Sequence, residues 1–406
     1  MRSLRRLWVE WTIAISFLRE GRAQSLMITV GVAVGVAVIV FITALIQGLQ
    51  ANIIERTLGT QAHIRLLPPD EVNLVLPAEP GTLQLVREDK RGQRLRSINN
   101  WQQVSATLDR LPELTAVSPV VSGPAFARRG QALESVVLMG IDLERYRRVI
   151  PLDRYVVSGF LRLGADDALV GRLLADDLGA DVGSKVRLET GQQGSAVLNV
   201  AGIVELGVRE LDSRSVYLDL RQAQSLLDLP GGVTVIDLTV TDIFAADEVA
   251  ARIDRLTALT AESWMATNAQ LMNALSAQSL STNMIIVFVG LSVAFGIASV
   301  LSVSVVQRTR EIGILRATGA ARAQILRVFL IQGSVFGLLG SVLGITASYG
   351  LVAVFNTYGP GLFYIPIPPA VMLLALILAT LTGVLAAAVP ARRAAGLDPV
   401  VAIRYV

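Results

Sequence analysis

Three stretches of this chain carry no Asp, Glu, Lys, Arg or His: Ala23 to Ile54, Ser263 to Gln307 and Val328 to Ala391. With charged residues at 17% of the sequence, even scatter would not leave gaps of that length, so charge is segregated. An apolar helix needs about 20 residues to cross a hydrocarbon core roughly 30 Å thick, and these runs supply that length four times. The first holds one span, Ser25 to Leu49. The second holds a span over Asn283 to Val306, preceded by a polar-faced helix over Ser263 to Thr282. The third is long enough for two, Phe329 to Phe355 and Ala370 to Val389. They are separated by a break over 356–369, where Gly359, Pro360, Gly361, Pro366, Pro368 and Pro369 cluster. Arg2, Arg5 and Arg6 resemble the basic start of a secretory signal, yet the apolar run behind them is too long and lacks a small-residue cleavage site. It reads as an uncleaved anchor.

Four spans place both termini on one side, and charge says which. The segments 1–24, 307–328 and 390–406 hold 13 basic and 4 acidic residues, a net of +9, whereas the remainder holds 23 basic and 29 acidic, a net of −6. Basic segments stay inside, so the expected order is a cytoplasmic start, an extracytoplasmic domain over 50–282, the cytoplasmic segment 307–328, a short outer loop over 356–369 and a cytoplasmic tail. The pI near 9.4 therefore reports topology. Nucleic-acid binding is not expected, because no aromatic and basic motif supports it.

The outer domain shows strand patterns in Ala62 to Leu67, Ser135 to Ile141, Ser184 to Glu189, Val197 to Val204, Ser215 to Leu220 and Val233 to Val240. Helical patterns lie at Trp101 to Leu111, Asp167 to Leu178, Leu220 to Leu227 and Ala246 to Thr257, with an irregular section from Pro68 to Ile98. The expected fold is an α-helical membrane protein with four transmembrane helices and a large mixed α+β extracytoplasmic domain inserted between helices 1 and 2. Tied to a membrane helix at each end, such a domain moves when those helices move.

Chemistry is sparse. There is no cysteine, so disulfides, thiol nucleophiles and cysteine metal clusters are excluded. A phosphate-binding loop requires Lys after Gly, but the two lysines, Lys90 and Lys185, follow Asp89 and Ser184. Any ATP and Mg must be bound by another polypeptide. His63 is the single histidine, which leaves no two-His metal site and suits a capping or interface role. The pairs Asp166–Asp167 and Asp176–Asp177 are read as solvated helix positions rather than acid–base partners. No catalytic, cofactor-binding or metal site is expected, so the chain is not read as an enzyme. The spans lack the ionisable residue that ion-coupled transport normally keeps at mid-membrane.

Glycine placement says more. Gly333, Gly337, Gly340 and Gly344 step by 4, 3 and 4, which at about 100° per residue puts them on one narrow helix face. Such a face admits a second helix closely, within the chain or from another copy; Gly31 and Gly35 repeat the pattern in the first span. The segment from Arg308 to Phe329, RTREIGILRATGAARAQILRVF, sets apolar Ile312, Leu315, Ile325, Leu326 and Phe329 among spaced arginines. It suits a juxtamembrane helix on anionic lipid or a short helix docking into a cytoplasmic partner, with Gly319 as a turn between two helical pieces.

REIGILRATGA at Arg310 to Ala320, ILRVFLIQG at Ile325 to Gly333 and the ending PARRAAGLDPVVAIRYV at Pro390 to Val406 resemble the FtsX/MacB-type permease subunits of ABC transporters. LGTQAHI at Leu58 to Ile64, VVLMGID at Val136 to Asp142, LVGRLLADDLGADVGSKVRL at Leu169 to Leu188 and GIVELGVRELDSRSVYLDLRQAQSLL at Gly202 to Leu227 resemble the LolC/LolE lipoprotein-releasing branch. The resemblance implies a bacterial inner-membrane permease dimer, with a second copy or a paralogue, working with a cytoplasmic ABC ATPase dimer. Arg310, Glu311, Ile312, Gly313, Arg316 and Gly319 would then form the ATPase-coupling helix. The implied cargo is a lipoprotein drawn from membrane lipid, with a periplasmic chaperone as a possible recipient. Pro68 to Arg96 has no recognised counterpart in that pattern. Alternatives in the same superfamily are a MacB- or DevC-like exporter of peptides, glycolipids or drugs, and an FtsX-like regulator of a cell-wall hydrolase.

Overall fold

The computed structural model describes residues 2–69, 95–191, 194–359, 361 and 363–404. Most of Pro68 to Arg96 lies outside the described residues. The chain divides into two units, one formed by Met1–Ile54 with Asn273–Val406, the other by Glu55–Met272.

In chain order, helix α1 (Arg2–Glu20) and helix α2 (Arg22–Leu58) come first, separated by Gly21. The second unit then builds strands β1 (Ile64–Leu67), β2 (Leu114–Arg129), β3 (Ala132–Ile141), β4 (Val156–Gly159), β5 (Asp167–Gly171), β6 (Lys185–Thr190), β7 (Ser195–Val204), β8 (Ser215–Asp219), β9 (Val235–Val240) and β10 (Thr260–Ser263). Short helices intervene: α3 (Trp101–Leu108), α4 (Leu143–Tyr146), α5 (Arg172–Asp177), α6 (Arg209–Arg214), α7 (Leu220–Leu226), α8 (Ala246–Leu256) and α9 (Trp264–Thr267). The described strands form one mixed sheet in the order β10-β1-β9-β2-β3-β8-β5-β7-β4, with β6 pairing β2 and β7. Its helix-covered core includes Val120, Ile141, Leu152, Leu169, Tyr146 and Tyr217.

One reading of this unit needs correction. Asp167 to Leu178 is not one helix: Asp167–Gly171 is β5, parallel to β7, and only Arg172–Asp177 is helical. Ala168, Leu169 and Val170 are buried between β7 and β8, and that packing overrides local helix preference. Asp167 is accordingly no solvated helix residue. It accepts hydrogen bonds from Arg162 at 2.9 Å and from the Gly164 amide, and these hold its carboxyl below the usual range against the opposing effect of burial. Beyond the expected strands, the unit contains β2, a sixteen-residue strand that pairs β9, β3 and β6 along its length. Pro119, Gly123 and Pro124 disguise it as a broken loop.

Asp237 on β9 lies in register with Arg65 on β1 and Ser118 on β2. Its carboxylate is nearly buried, 3.5 Å from the half-exposed Arg65 guanidinium, and burial pushes its pKa up to about 6 despite that cation. The neutral form is therefore favoured by folding, so this group's contribution is complete below the unfolded value of 3.8 and is lost as pH rises through about 6. Nearby His63 behaves oppositely. Its Nδ1 lies 3.2 Å from both the amide and the carbonyl of Val240, desolvation lowers its pKa against the opposing effect of that backbone bond, and its contribution is lost as pH falls. Comparing the full-length protein with Asp237→Asn isolates the carboxyl. The variant should gain relative stability as pH rises between about 4 and 6, reaching about 3 kcal/mol above that window, read from denaturant midpoints by the emission of buried Trp264. A pH-independent difference would show that Asp237 ionises freely in the folded sheet.

The chain closes with α10 (Ala269–Gln307), α11 (Thr309–Ala317), α12 (Arg322–Tyr358), α13 (Pro369–Gly396) and α14 (Pro399–Arg404). Among the described residues four helices, α2, α10, α12 and α13, are long and apolar enough to cross a membrane. The polar-faced helix expected from Ser263 begins later: Ser263 ends β10 and its hydroxyl caps α9, and α10 starts at Ala269. Between α12 and α13, Asn356 fixes the connecting loop by donating to the Ile365 carbonyl at 3.1 Å and accepting from its amide at 3.0 Å. That seats Ile365 against Ala44 of α2 and Val352 of α12.

Candidate functional site

The glycine face of α12 does not meet one neighbour. A side chain added at Gly333 would collide with Gly383 and Ala387 of α13, and one at Gly337 would lie 2.7 Å from the Ala379 carbonyl. One at Gly340 would strike Val32 of α2, and one at Gly344 would lie 2.8 Å from Cβ of Val36. The row therefore turns from α13 to α2 along its length, and its close packing is within the chain. Gly35 approaches Val293 of α10. Gly31 has open space beside it in this chain. Its position on α2 points away from the α12 contact that Val32 and Val36 make.

The segment after α10 folds as two helical pieces. α11 ends when Thr318 and Gly319 leave the helix, with Gly319 at φ +105° and the Ala320 amide donating to the Leu315 carbonyl at 3.0 Å. That backbone conformation suits glycine, and the long-range amide bond satisfies a terminal carbonyl. α12 then starts with the Gln324 side chain accepting from the Ala321 amide at 2.8 Å.

Burial sorts the expected coupling residues. Arg310, Glu311 and Gly319 are exposed, and Arg316 is half-buried. Ile312 and Gly313 are buried, because α11 packs against α14 and that face closes onto the chain itself. Within this chain they lie on the closed side of α11, apart from the exposed Arg310 and Glu311. Ile314, not singled out in the sequence, is 48% exposed on the same helix. Arg310, Glu311, Ile314 and Ala317 thus form the open face of α11. Their spacing on a helix would have found this face had the docking of Pro399–Arg404 been foreseeable.

Arg308 links this segment to α1. Its guanidinium lies 2.8 Å from the Glu20 carboxylate, donates to the Phe17 carbonyl at 2.8 Å, rests 4.5 Å from the Phe17 ring centroid and reaches Glu311 at 3.5 Å. The side chain is only 11% exposed. A second tie joins buried Glu10 to Arg327 at 2.8 Å, and Phe17 packs on Phe329. Neither tie is legible in local sequence, because each joins residues about 300 positions apart. Among the described residues no group of three or more metal-ligating side chains gathers.

Two family models match the chain: the MacB-like periplasmic core domain over residues 25–256 and the FtsX-like permease C-terminal region over 283–399. The chain is 26% identical to a macrolide export ATP-binding/permease protein MacB of Acinetobacter baylyi over 98% of its own length, and it covers 60% of that relative. It is 24% identical to a lipoprotein-releasing system transmembrane protein LolC of Neisseria meningitidis, covering 98% of this chain and 99% of the relative. A LolE of Haemophilus influenzae is 25% identical over 91% of each. The periplasmic region of MacB from Actinobacillus actinomycetemcomitans aligns with 54% of this chain and 96% of its own, at 14% identity and a TM-score of 0.36.

Proposed function

We propose, since this chain belongs to the FtsX/MacB-type permeases of ABC transporters, that it is the mechanical subunit of a lipoprotein-releasing machine in the bacterial inner membrane. The observation that carries the mechanical reading is the geometry of α11: a short helix with an open Arg310, Glu311, Ile314 face, joined through Arg308 to the end of α10. ATP and Mg are bound by a separate ABC ATPase dimer. When that ATPase closes, it displaces α11, and α10 carries the displacement toward the β-rich unit to which it connects. The charge asymmetry supports cytoplasmic termini and an outward domain.

The lipoprotein assignment rests on the segments resembling the LolC/LolE branch, which contribute to β1, β3, β5, β6, β7 and β8 and so to most of one sheet. A second copy or a paralogue completes the permease pair, lipoprotein enters from the membrane, and a periplasmic chaperone receives it. The MacB relatives support a second reading, export of a soluble or amphiphilic compound from the periplasm. Purification of the tagged full-length protein in nanodiscs, followed by mass spectrometry, separates the two. Lipoprotein release predicts an ABC ATPase together with lipidated peptides. An ATPase with an adaptor protein and no lipidated peptide would replace it with export.

A further inference from the structure

α1 has two faces. Glu10, Ala14 and Phe17 turn inward, held by Arg327, Gln332, Phe329 and Arg308. Trp8, Trp11, Thr12, Ile15, Ser16 and Arg19 recur at helical spacing on the other side, where Trp8 is 73% and Trp11 45% exposed. Two exposed tryptophans on one face of a helix are an unusual outlay of apolar surface in water. Their rings combine an apolar body with an N–H, which suits the headgroup level of a bilayer.

Charge and continuity identify the occupant. The α1 sequence and the first residue of α2 carry Arg2, Arg5, Arg6, Arg19 and Arg22 against Glu10 and Glu20, and both acids are ion-paired within the chain. The sequence of this segment is therefore net basic, with its two acids already paired within the chain. Helix α1 also ends one residue before α2, whose apolar run starts at Ala23 and exposes Leu26, Met27 and Val30. A helix joined so closely to a membrane-crossing one lies at the depth where anionic headgroups are found.

We propose that the Trp8–Trp11 face of α1 is a binding surface for anionic phospholipid at the interface of the leaflet beside α11. The Arg308 clamp then gives that surface a mechanical meaning. Because the guanidinium grips Glu20 and Phe17 of α1 and reaches Glu311 of α11, the lipid-seated helix is the fixed point against which the coupling helix turns.

The test uses the full-length chain in vesicles of phosphatidylcholine, with and without phosphatidylglycerol, doped with brominated lipid that quenches tryptophan on contact. Trp101→Phe provides the background, and the remaining Trp264 is buried in the β-rich unit. Strong quenching is expected in this background, increased by phosphatidylglycerol and lost when Trp8→Phe and Trp11→Phe are added. Phenylalanine keeps the helix apolar, and circular dichroism of each variant confirms folding. Emission that brominated lipid leaves unquenched would overturn the proposal and give the face to water, to the ATPase or to a second copy. Quenching that ignores phosphatidylglycerol would overturn the anionic part.

Discussion

Gly337→Leu is expected to break the packing of α12 on α13 and to prevent the helical unit from reaching its native form. A side chain there meets the backbone of Ala379 and Thr380 at 2.7 Å, and backbone does not rotate aside as a flexible side chain does. Overpacking a tight contact costs roughly 1 to 3 kcal/mol, and four added carbons against two facing main-chain segments put this site at the upper end. Gly333→Leu should be as severe, since a side chain at Gly333 runs into the carbonyl of Gly383, and one at Gly383 into that of Gly333. Gly350→Leu is the control: it lies on the same helix with open space beside it. Thermal unfolding and detergent gel filtration read the result. A native elution profile and an unchanged midpoint in Gly337→Leu would show that α12 and α13 stand further apart than described here.

Ile314→Asp is expected to leave the chain folded and to reduce its stimulation of the partner ATPase by at least about tenfold, the loss associated with charging the apolar centre of an interface. Ile314 sits on the open side of α11, so an aspartate remains hydrated in the free protein. In the complex the same carboxylate would be desolvated without a partner. Ile312→Asp, two residues away, should instead unfold the contact between α11 and α14, because Ile312 is fully buried. Glu311→Lys is the less discriminating change, as it also repels Arg308 across 3.5 Å. ATPase rates with reconstituted partner distinguish the cases. Full stimulation by Ile314→Asp would remove α11 as the docking element.

The four apolar helices were legible because excluding charge over twenty or more residues leaves few other structures possible. The two-piece form of the segment over 308–329 was legible for a local reason: a lone glycine between amphipathic pieces needs only its own turn. What could not be read depends on partners distant in sequence. β2 looks like a loop until β9, β3 and β6 claim it. β5 has the composition of a helix until β7 and β8 enclose it. The glycine periodicity of α12 located a close-packed face, but not that the face changes neighbour between Gly337 and Gly340. On α11 the pattern identified a helix with an apolar side, and only the docking of α14 decides which residues remain outside.

The chain enters the sheet at β1 and leaves it at β10, and these strands pair antiparallel with Ile64 opposite Ser263. Entry and exit therefore lie at the same end of one ladder. Tension that pulls them apart falls first on the Ile64–Ser263 pair and then on Arg65–Glu262, one rung at a time, as a zipper opens. Tension that draws both in the same direction is shared at once by every rung between β1 and β9, from Ile64–Leu238 to Leu66–Ile236. The sheet is weak toward divergence of its two tethers and strong toward their joint travel.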